Sequence, residues 1–265
     1  MFEYEFMRIA FCICILISIM LPLLGAPLVQ KRLSMTGDAL SHTSLLGVAI
    51  GIVSGFNPLI VSIIISVCAS VIIELIRRKF NKYSELSVVI VMSFAIGLTA
   101  ILSKFSSAAT FSSYLFGSIA LVTSKDLIII LIVALITILF SVGFYKQIFY
   151  SSYNEFQASL DNINVKLLNM CQTILTAVVV AISSKVVGAL IVSALMVIPY
   201  ATSIQLTKSY KGSLIVSICL SLACSVIGVI LSFYADISAG GVMVVTSTVI
   251  LIISLFINKL FKLSK

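Results

Sequence analysis

Charge is scarce in this chain, and histidine nearly absent. Asp, Glu, Lys and Arg make up 10% of 265 residues, beside one His, no Trp and four Pro. So little charge against 61% hydrophobic residues excludes an ordinary soluble domain and a disordered chain. A single histidine excludes an H-E-x-x-H site, and without a G-x-x-x-x-G-K-[ST] run any use of ATP must come from a partner. The six cysteines stand singly in apolar segments with no C-x-x-C, and they read as inert buried thiols. Without Trp, anchoring at a membrane interface falls to the nine Tyr and to Lys and Arg. Few prolines mean few forced kinks.

What is present is a series of apolar runs: Ile9–Val29, Pro58–Ile73, Leu86–Ser103, Leu127–Tyr145, Leu167–Ser184, Val186–Leu206, Ser213–Ala235 and Gly240–Ile257. Most run for about 20 residues, the length that crosses roughly 30 Å of hydrocarbon as a helix. Strict alternation is missing, which argues against a β-barrel. The net charge of +8 falls in short clusters between the runs, a pattern that membrane topology explains better than nucleic-acid binding. The clusters are Lys31-Arg32, Arg77-Arg78-Lys79 with Lys82, Lys146, Lys166, Lys208 with Lys211, and the tail Lys259, Lys262 and Lys265.

Taking these as cytoplasmic predicts spans near 8–30, 36–55, 58–76, 86–103, 126–147, 165–183, 186–207, 213–234 and 240–258, with the N-terminus outside. The first is a retained span, too long for a signal-peptide core. The joints at Gly55–Pro58, Ser183-Ser184-Lys185 and Asp236–Gly240 read as external. Thr110–Val122 is short and rich in Ser and Gly, which favours a re-entrant or surface helix over a tenth span. The result is an all-α polytopic bundle of about nine transmembrane helices, one membrane domain over residues 1–265.

Two polar features stand out. The interval from Tyr150 to Asn164 places Phe156, Leu160 and Ile163 at helical spacing, with Asn154 able to cap the start; it predicts a short amphipathic helix on the cytoplasmic side, or else an ordinary connector. The second is Asp38 with His42. At i and i+4 on a helix they share one face, and ionisable groups at membrane depth, costing roughly 2.5–3.5 kcal/mol each, usually face a pathway or each other. A carboxylate and an imidazole suit a divalent cation, and two protein ligands hold one loosely enough to release it. Ser41 could contribute. The competing reading makes Asp38 a helix N-cap and His42 a satisfied interior histidine. Glu74 reads as an ion-pair partner of Arg77 and Arg78, Gly188 as a close helix contact, Pro199 as a kink, Met196 as packing, and Asp236 as a cap or a partner contact.

The run Arg32-Leu33-Ser34-Met35-Thr36-Gly37-Asp38-Ala39-Leu40-Ser41-His42-Thr43-Ser44-Leu45-Leu46-Gly47-Val48-Ala49 resembles bacterial zinc/manganese ABC importer permeases. Val187–Pro199 resembles that family's later signature, Glu155–Ile163 its coupling helix, and Asp236–Val242 its last external turn. The chain departs from many relatives in the spacing of Lys31-Arg32 and in Tyr200 after Pro199.

The resemblance implies a type II ABC importer-like permease in the bacterial cytoplasmic membrane. It would be a homodimer served by a cytoplasmic ABC ATPase and an extracytoplasmic metal-binding protein. Asp38 and His42 would be metal ligands, and Glu155, Phe156, Gln157, Ala158, Ser159 and Leu160 the ATPase-coupling helix. No cofactor would be permanently bound, and the chain itself would not be an enzyme. The Asp38–Ala49 run leans to zinc, with manganese or iron as alternatives within the family. A proton-coupled secondary metal transporter is the rival from another class, weakened by the lack of an inverted repeat or a second intramembrane acid.

Overall fold

The structure, a computed structural model, describes residues 5–80, 84–105, 108–117, 122–235 and 237–263. Asp236, Lys82, Lys265 and part of the 110–122 segment lie outside them. Twelve helices follow in order among the described residues: α1 Glu5–Gln30, α2 Met35–Ser54, α3 Pro58–Lys79, α4 Ser84–Ser103, α5 Ala108–Phe116, α6 Ser124–Gly143, α7 Tyr145–Tyr153, α8 Glu155–Leu160, α9 Val165–Val186, α10 Ala189–Leu206, α11 Tyr210–Ala235 and α12 Ala239–Leu263. Eight of them are long and apolar enough to cross a membrane. The ninth long helix, α2, falls short because Asp38, His42 and several hydroxyls interrupt its apolar run.

The helices are built inside out relative to a soluble bundle. Along α3 the buried positions are Ser62, Ser66, Ala69, Ser70, Ile73 and Glu74, while Ile60, Ile64, Ile72 and Leu75 point outward. Helix α6 buries Asp126, Ile130, Ala134, Thr137 and Ser141 and exposes Ile128, Leu131, Leu135, Leu139 and Val142. In water such outward stripes would drive aggregation; in lipid they are the solvated face, and small residues inside let backbones approach. Gly47 and Gly51 lie against the backbones of Ser62 and Pro58, so α2 and α3 form a tight hairpin with no room for a Cβ at either position.

Two helices are central. α1 packs against α6, α9, α10 and α11, and α2 against α3, α4, α5, α9 and α10. Enclosure by other helices explains how α2 tolerates its hydroxyls: Thr36, Ser41, Thr43 and Ser44 are buried in protein rather than facing lipid. Ser44 illustrates this, its hydroxyl within 3.0 Å of Ser62 and 2.9 Å of Ser184.

The helix ends separate by charge. Lys31, Arg32, Arg77, Arg78 and Lys166 all line one cleft, which defines a basic end. At the opposite end lie the Asp126–Lys185 ion pair and a close crossing of Gly117 and Gly188. Both glycines have positive φ (78° and 102°), and a Cβ on either would overlap the other segment's backbone.

Several boundaries differ from expectation. Ser183-Ser184-Lys185 is not a joint but the last turn of α9, because Ser184 and Lys185 find lateral partners and the chain breaks only at Gly188. The predicted 126–147 span ends at Gly143, and Lys146 belongs to the separate helix α7. Helix α5 has 9 residues, so at about 1.5 Å per residue it is too short to cross a bilayer.

Candidate functional site

Helix α2 begins without a side-chain cap: Ser34 precedes it and makes no capping bond. Asp38 sits inside the first turn, about 5 Å along the axis from Met35, and His42 about 10 Å along. Asp38 is therefore not the N-cap of this helix. Its Oδ1 instead accepts a hydrogen bond from Ser193 Oγ of α10 at 3.3 Å.

The surroundings of α2 single this pair out. From Thr36 to Ala49 every residue is buried except Asp38 and His42, which are partly open. With exposed Met35 they form one stripe on the protomer surface. Beside it, α10 presents partly open Ser193, Ala194, Val197, Ile198 and Ala201. The two stripes make a shallow wall, apolar except for Asp38, His42 and Ser193. Among the described residues no ion pair or hydrogen bond joins Asp38 to His42, and no third His, Cys, Asp or Glu completes a metal-binding group. The donor set of one protomer is a carboxylate and an imidazole on an open face.

Other candidates fall away from this wall. Ser41 is buried and donates to Gly37 O at 2.9 Å, one turn back on its own helix. Met196 is fully buried between Gly25 and Gly37, where neither helix has a Cβ to hold it off, and it packs rather than ligates. Ser193 was legible only as a small residue near Gly188; its role beside Asp38 depends on how α10 is set against α2. Tyr200, which follows Pro199 within α10, is buried, and its hydroxyl accepts from Gln30 Nε2 at 2.9 Å.

A second polar constellation lies at the basic end, around a cleft of about 860 Å³. Glu74, with 2% of its side chain exposed, pairs with Arg77 at 3.1 Å and Arg78 at 3.4 Å, as its spacing predicts. Helix α8 covers Glu155–Leu160 and is capped by Asn154, whose Oδ1 accepts from Phe156 N and Gln157 N. The predicted short helix is present, with Phe156 (74% exposed) and Leu160 (66%) left uncovered by the protomer and Ala158 as its buried residue.

Glu155 faces Lys31 at 3.3 Å, Asn169 Nδ2 at 2.9 Å and Arg77 at 4.0 Å. Burial raises its carboxyl, but Lys31, Asn169 and Arg77 outweigh that and hold it below the usual range. Burial lowers the Lys31 ammonium from its ordinary value, more than Glu155 raises it. The opposite end carries an ion pair that single-residue inspection missed. Thr123 and Asp126 form a capping box at the start of α6, and Lys185 Nζ reaches both Asp126 oxygens at 2.8 and 2.9 Å. The T-x-x-D spacing carried the signal for the box, not for the lysine.

A bundle of lipid-facing helices around one enclosed polar helix, with an exposed short helix at its basic end, defines a multi-pass membrane transport protein. The chain belongs to the ABC 3 transport family, the metal ABC permeases, whose model matches residues 3–258. It is 32% identical over 254 residues to a probable metal transport system membrane protein of Treponema pallidum, covering 96% of each chain. It is also 29% identical to the high-affinity zinc uptake system membrane protein ZnuB of Haemophilus influenzae (91% of this chain, 95% of that one). The manganese transport system membrane protein MntC of Listeria monocytogenes is 28% identical (95% and 90%). Among solved structures, PsaBC from Streptococcus pneumoniae in complex with Fab superimposes with a TM-score of 0.85 at 25% identity, covering 99% of this chain and 96% of that one.

Proposed function

We propose that this chain is the permease subunit of an ATP-driven importer that carries a divalent transition metal across the bacterial cytoplasmic membrane. The observation that carries the reading is the open stripe of Asp38 and His42 on an otherwise buried polar helix. Two ligands from one protomer leave positions for water, so an ion would be held without being trapped. A second copy facing the α2–α10 wall would close a pathway around the pair. Positive charge at the end bearing Lys31, Arg77 and Lys166 supports placing that end in the cytoplasm. Exposed Phe156 and Leu160 on α8 then suit a cytoplasmic ATPase. An extracytoplasmic metal-binding protein would deliver the ion to the opposite end.

Zinc is our first candidate, from the similarity of the Asp38–Ala49 run to zinc permeases. Carboxylate plus imidazole serves zinc, manganese and iron alike, and relatives are named for each of these metals. The test is uptake of the three metals by cells carrying the intact importer, wild type against Asp38→Asn and His42→Ala. Assembly with the ATPase is followed in parallel. Loss of uptake of one metal in assembled variants supports the site and names the substrate. Uptake that survives in both variants removes the pair from the pathway.

A further inference from the structure

Helix α8 is held to the bundle by very little. Of its six residues only Ala158 is buried. Its side-chain polar attachment is Glu155, and Glu155 leads directly to Lys31 at the end of α1. The Lys31 side chain is 7% exposed, and its ammonium meets Glu155 Oε1 at 3.3 Å, Ser151 Oγ at 2.7 Å and Asn169 Oδ1 at 2.5 Å. Asn169 bridges the pair, accepting from Lys31 through Oδ1 and donating to Glu155 through Nδ2. Three helices, α7, α8 and α9, thus converge on one ammonium.

What Lys31 is attached to gives the contact its meaning. The α1–α2 turn is closed by backbone bonds from Arg32 N to Val29 O (3.1 Å) and from Leu33 N to Leu28 O (2.8 Å), with Arg32 at φ 59°. A further bond runs from Thr36 N to Leu33 O at 2.9 Å, into the first turn of α2. This Schellman-like closure makes the turn a stiff connector rather than a slack loop. Asp38 lies seven positions beyond Lys31 on the same rigid run. Gln30, the immediate neighbour of Lys31, donates to Tyr200 of α10, the helix that also carries Ser193. Consecutive residues at the end of α1 therefore grip α8 on one side and α10 on the other, and they lead directly into α2. α2 and α10 are the two helices that form the Asp38/His42 wall.

We propose that the Lys31–Glu155 ion pair, bridged by Asn169, is the link that passes displacement of α8 to the α1–α2 turn, and through it to α2 and α10. Lys31 is a positioning residue and touches no metal. The inference rests on the reading that α8 docks a cytoplasmic ATPase, and it adds where the stroke goes next. An ion pair suits such a link because it resists tension and compression alike, and a buried ammonium with three oxygen partners has few alternative arrangements. The other charged contact of Glu155, with Arg77 of α3 at 4.0 Å, is longer, and Ala158 is the one buried residue of α8.

The test uses the whole importer, permease with its ATPase and delivery protein, reconstituted in liposomes, with metal transported per ATP hydrolysed as the readout. Lys31→Met removes the link without leaving a buried orphan charge, because Glu155 is half exposed and Ser151 and Asn169 remain within 3.4 Å of each other. The expected result is an unchanged amount of copurified ATPase and a transport-to-hydrolysis ratio lower by about tenfold, within the usual range of coupling between sites. Lys31→Arg, which keeps the charge and the reach, restores most of that ratio. Asn169→Leu, which removes the bridge, lowers it in the same direction and decides the matter if Lys31→Met does not assemble. A wild-type ratio in assembled Lys31→Met or Asn169→Leu protein overturns the proposal and leaves the pair a structural clasp. Loss of the ATPase from Lys31→Met protein that is otherwise folded also overturns it, since the residue then serves docking. A wild-type permease that retains no ATPase is a different failure: it defeats the docking reading itself, and the link falls with it.

Discussion

The Ser193 hydroxyl donates to the Asp38 carboxylate at 3.3 Å across the α2–α10 contact. The bond ties the acidic member of the proposed metal pair to the neighbouring wall helix and leaves the rest of the carboxylate open. Ser193→Ala should preserve the fold, since the site is partly open and a small side chain still fits. A hydrogen bond to a charged group contributes about 1.5–3 kcal/mol at best, and this one is long. The half-saturating metal concentration for uptake is therefore expected to shift by up to about tenfold with expression unchanged. A saturation curve identical to wild type would detach Ser193 from the site.

Three glycines give a ranked prediction. Gly188→Ala meets both a positive φ of 102° and the backbone of Phe116, whereas Gly55→Ala meets a φ of 74° but open space, and Gly97→Ala meets neither. Strained φ costs about 1–3 kcal/mol, and overlap with immovable backbone adds to it. Thermal unfolding in detergent should follow that order, with Gly188→Ala least stable and Gly97→Ala near wild type. A Gly188→Ala protein as stable as Gly97→Ala would mean that α5 does not sit against the α9–α10 break.

Glu74 neutralises Arg77 and Arg78 from a site with 2% exposure. Glu74→Ala leaves Arg77, itself 14% exposed, with only the more distant Glu155 carboxylate at 4.0 Å. Removing one partner of a buried pair costs about 3 kcal/mol or more. We expect a clear drop in melting temperature and a smaller one for Glu74→Gln, which keeps an acceptor. Equal melting temperatures for wild type and Glu74→Ala would show the pair to be solvated.

Phe156 and Leu160 lie exposed on α8 and bury little within the protomer. Replacing both by Ser should alter the melting temperature of the isolated permease little, by about 0.5 kcal/mol equivalent at most. The same change should abolish copurification of the ATPase. Retention of the ATPase would move the docking surface elsewhere.

Acid should loosen α8. The folded-state Glu155 carboxyl is held below its ordinary value by Lys31, Asn169 and Arg77, so its contribution is complete above about pH 4.3 and is lost as pH falls through the lower folded value. The protection factors of residues 155–160, with exchange corrected for its intrinsic pH dependence, should be flat near neutrality and fall only below that range. Glu155→Gln should lack the step. A wild-type transition between pH 6 and 8 would assign the titration to another group.

Much of the architecture could be read along the chain. Apolar runs of membrane length are a one-dimensional property, set by bilayer thickness and helix rise, and they located the long helices to within a few residues. The Asp38–His42 spacing, the Glu74 pair and the Asn154 cap are likewise local, because a helix brings i, i+3 and i+4 together whatever surrounds it. Gly188 was legible as a contact, though not which segment it touches.

What the tertiary structure alone decided is everything that depends on one helix facing another. No spacing rule predicts that Lys185 reaches Asp126 or that Ser193 reaches Asp38, since those partners are 59 and 155 residues apart. Which way the apolar residues of α8 face was open in the sequence, because a periodic pattern does not say what covers it, and Phe156 and Leu160 are left exposed by this chain. Burial of the polar helix α2 was likewise invisible: Ser41 and Thr43 bond back to carbonyls of their own helix, but Ser44 depends on Ser62 of α3 and Ser184 of α9. The sequence determines which segments enter the membrane, through transfer energies that each residue carries with it. Only packing determines which polar groups meet there, because their cost is cancelled by neighbours that chain order does not reveal.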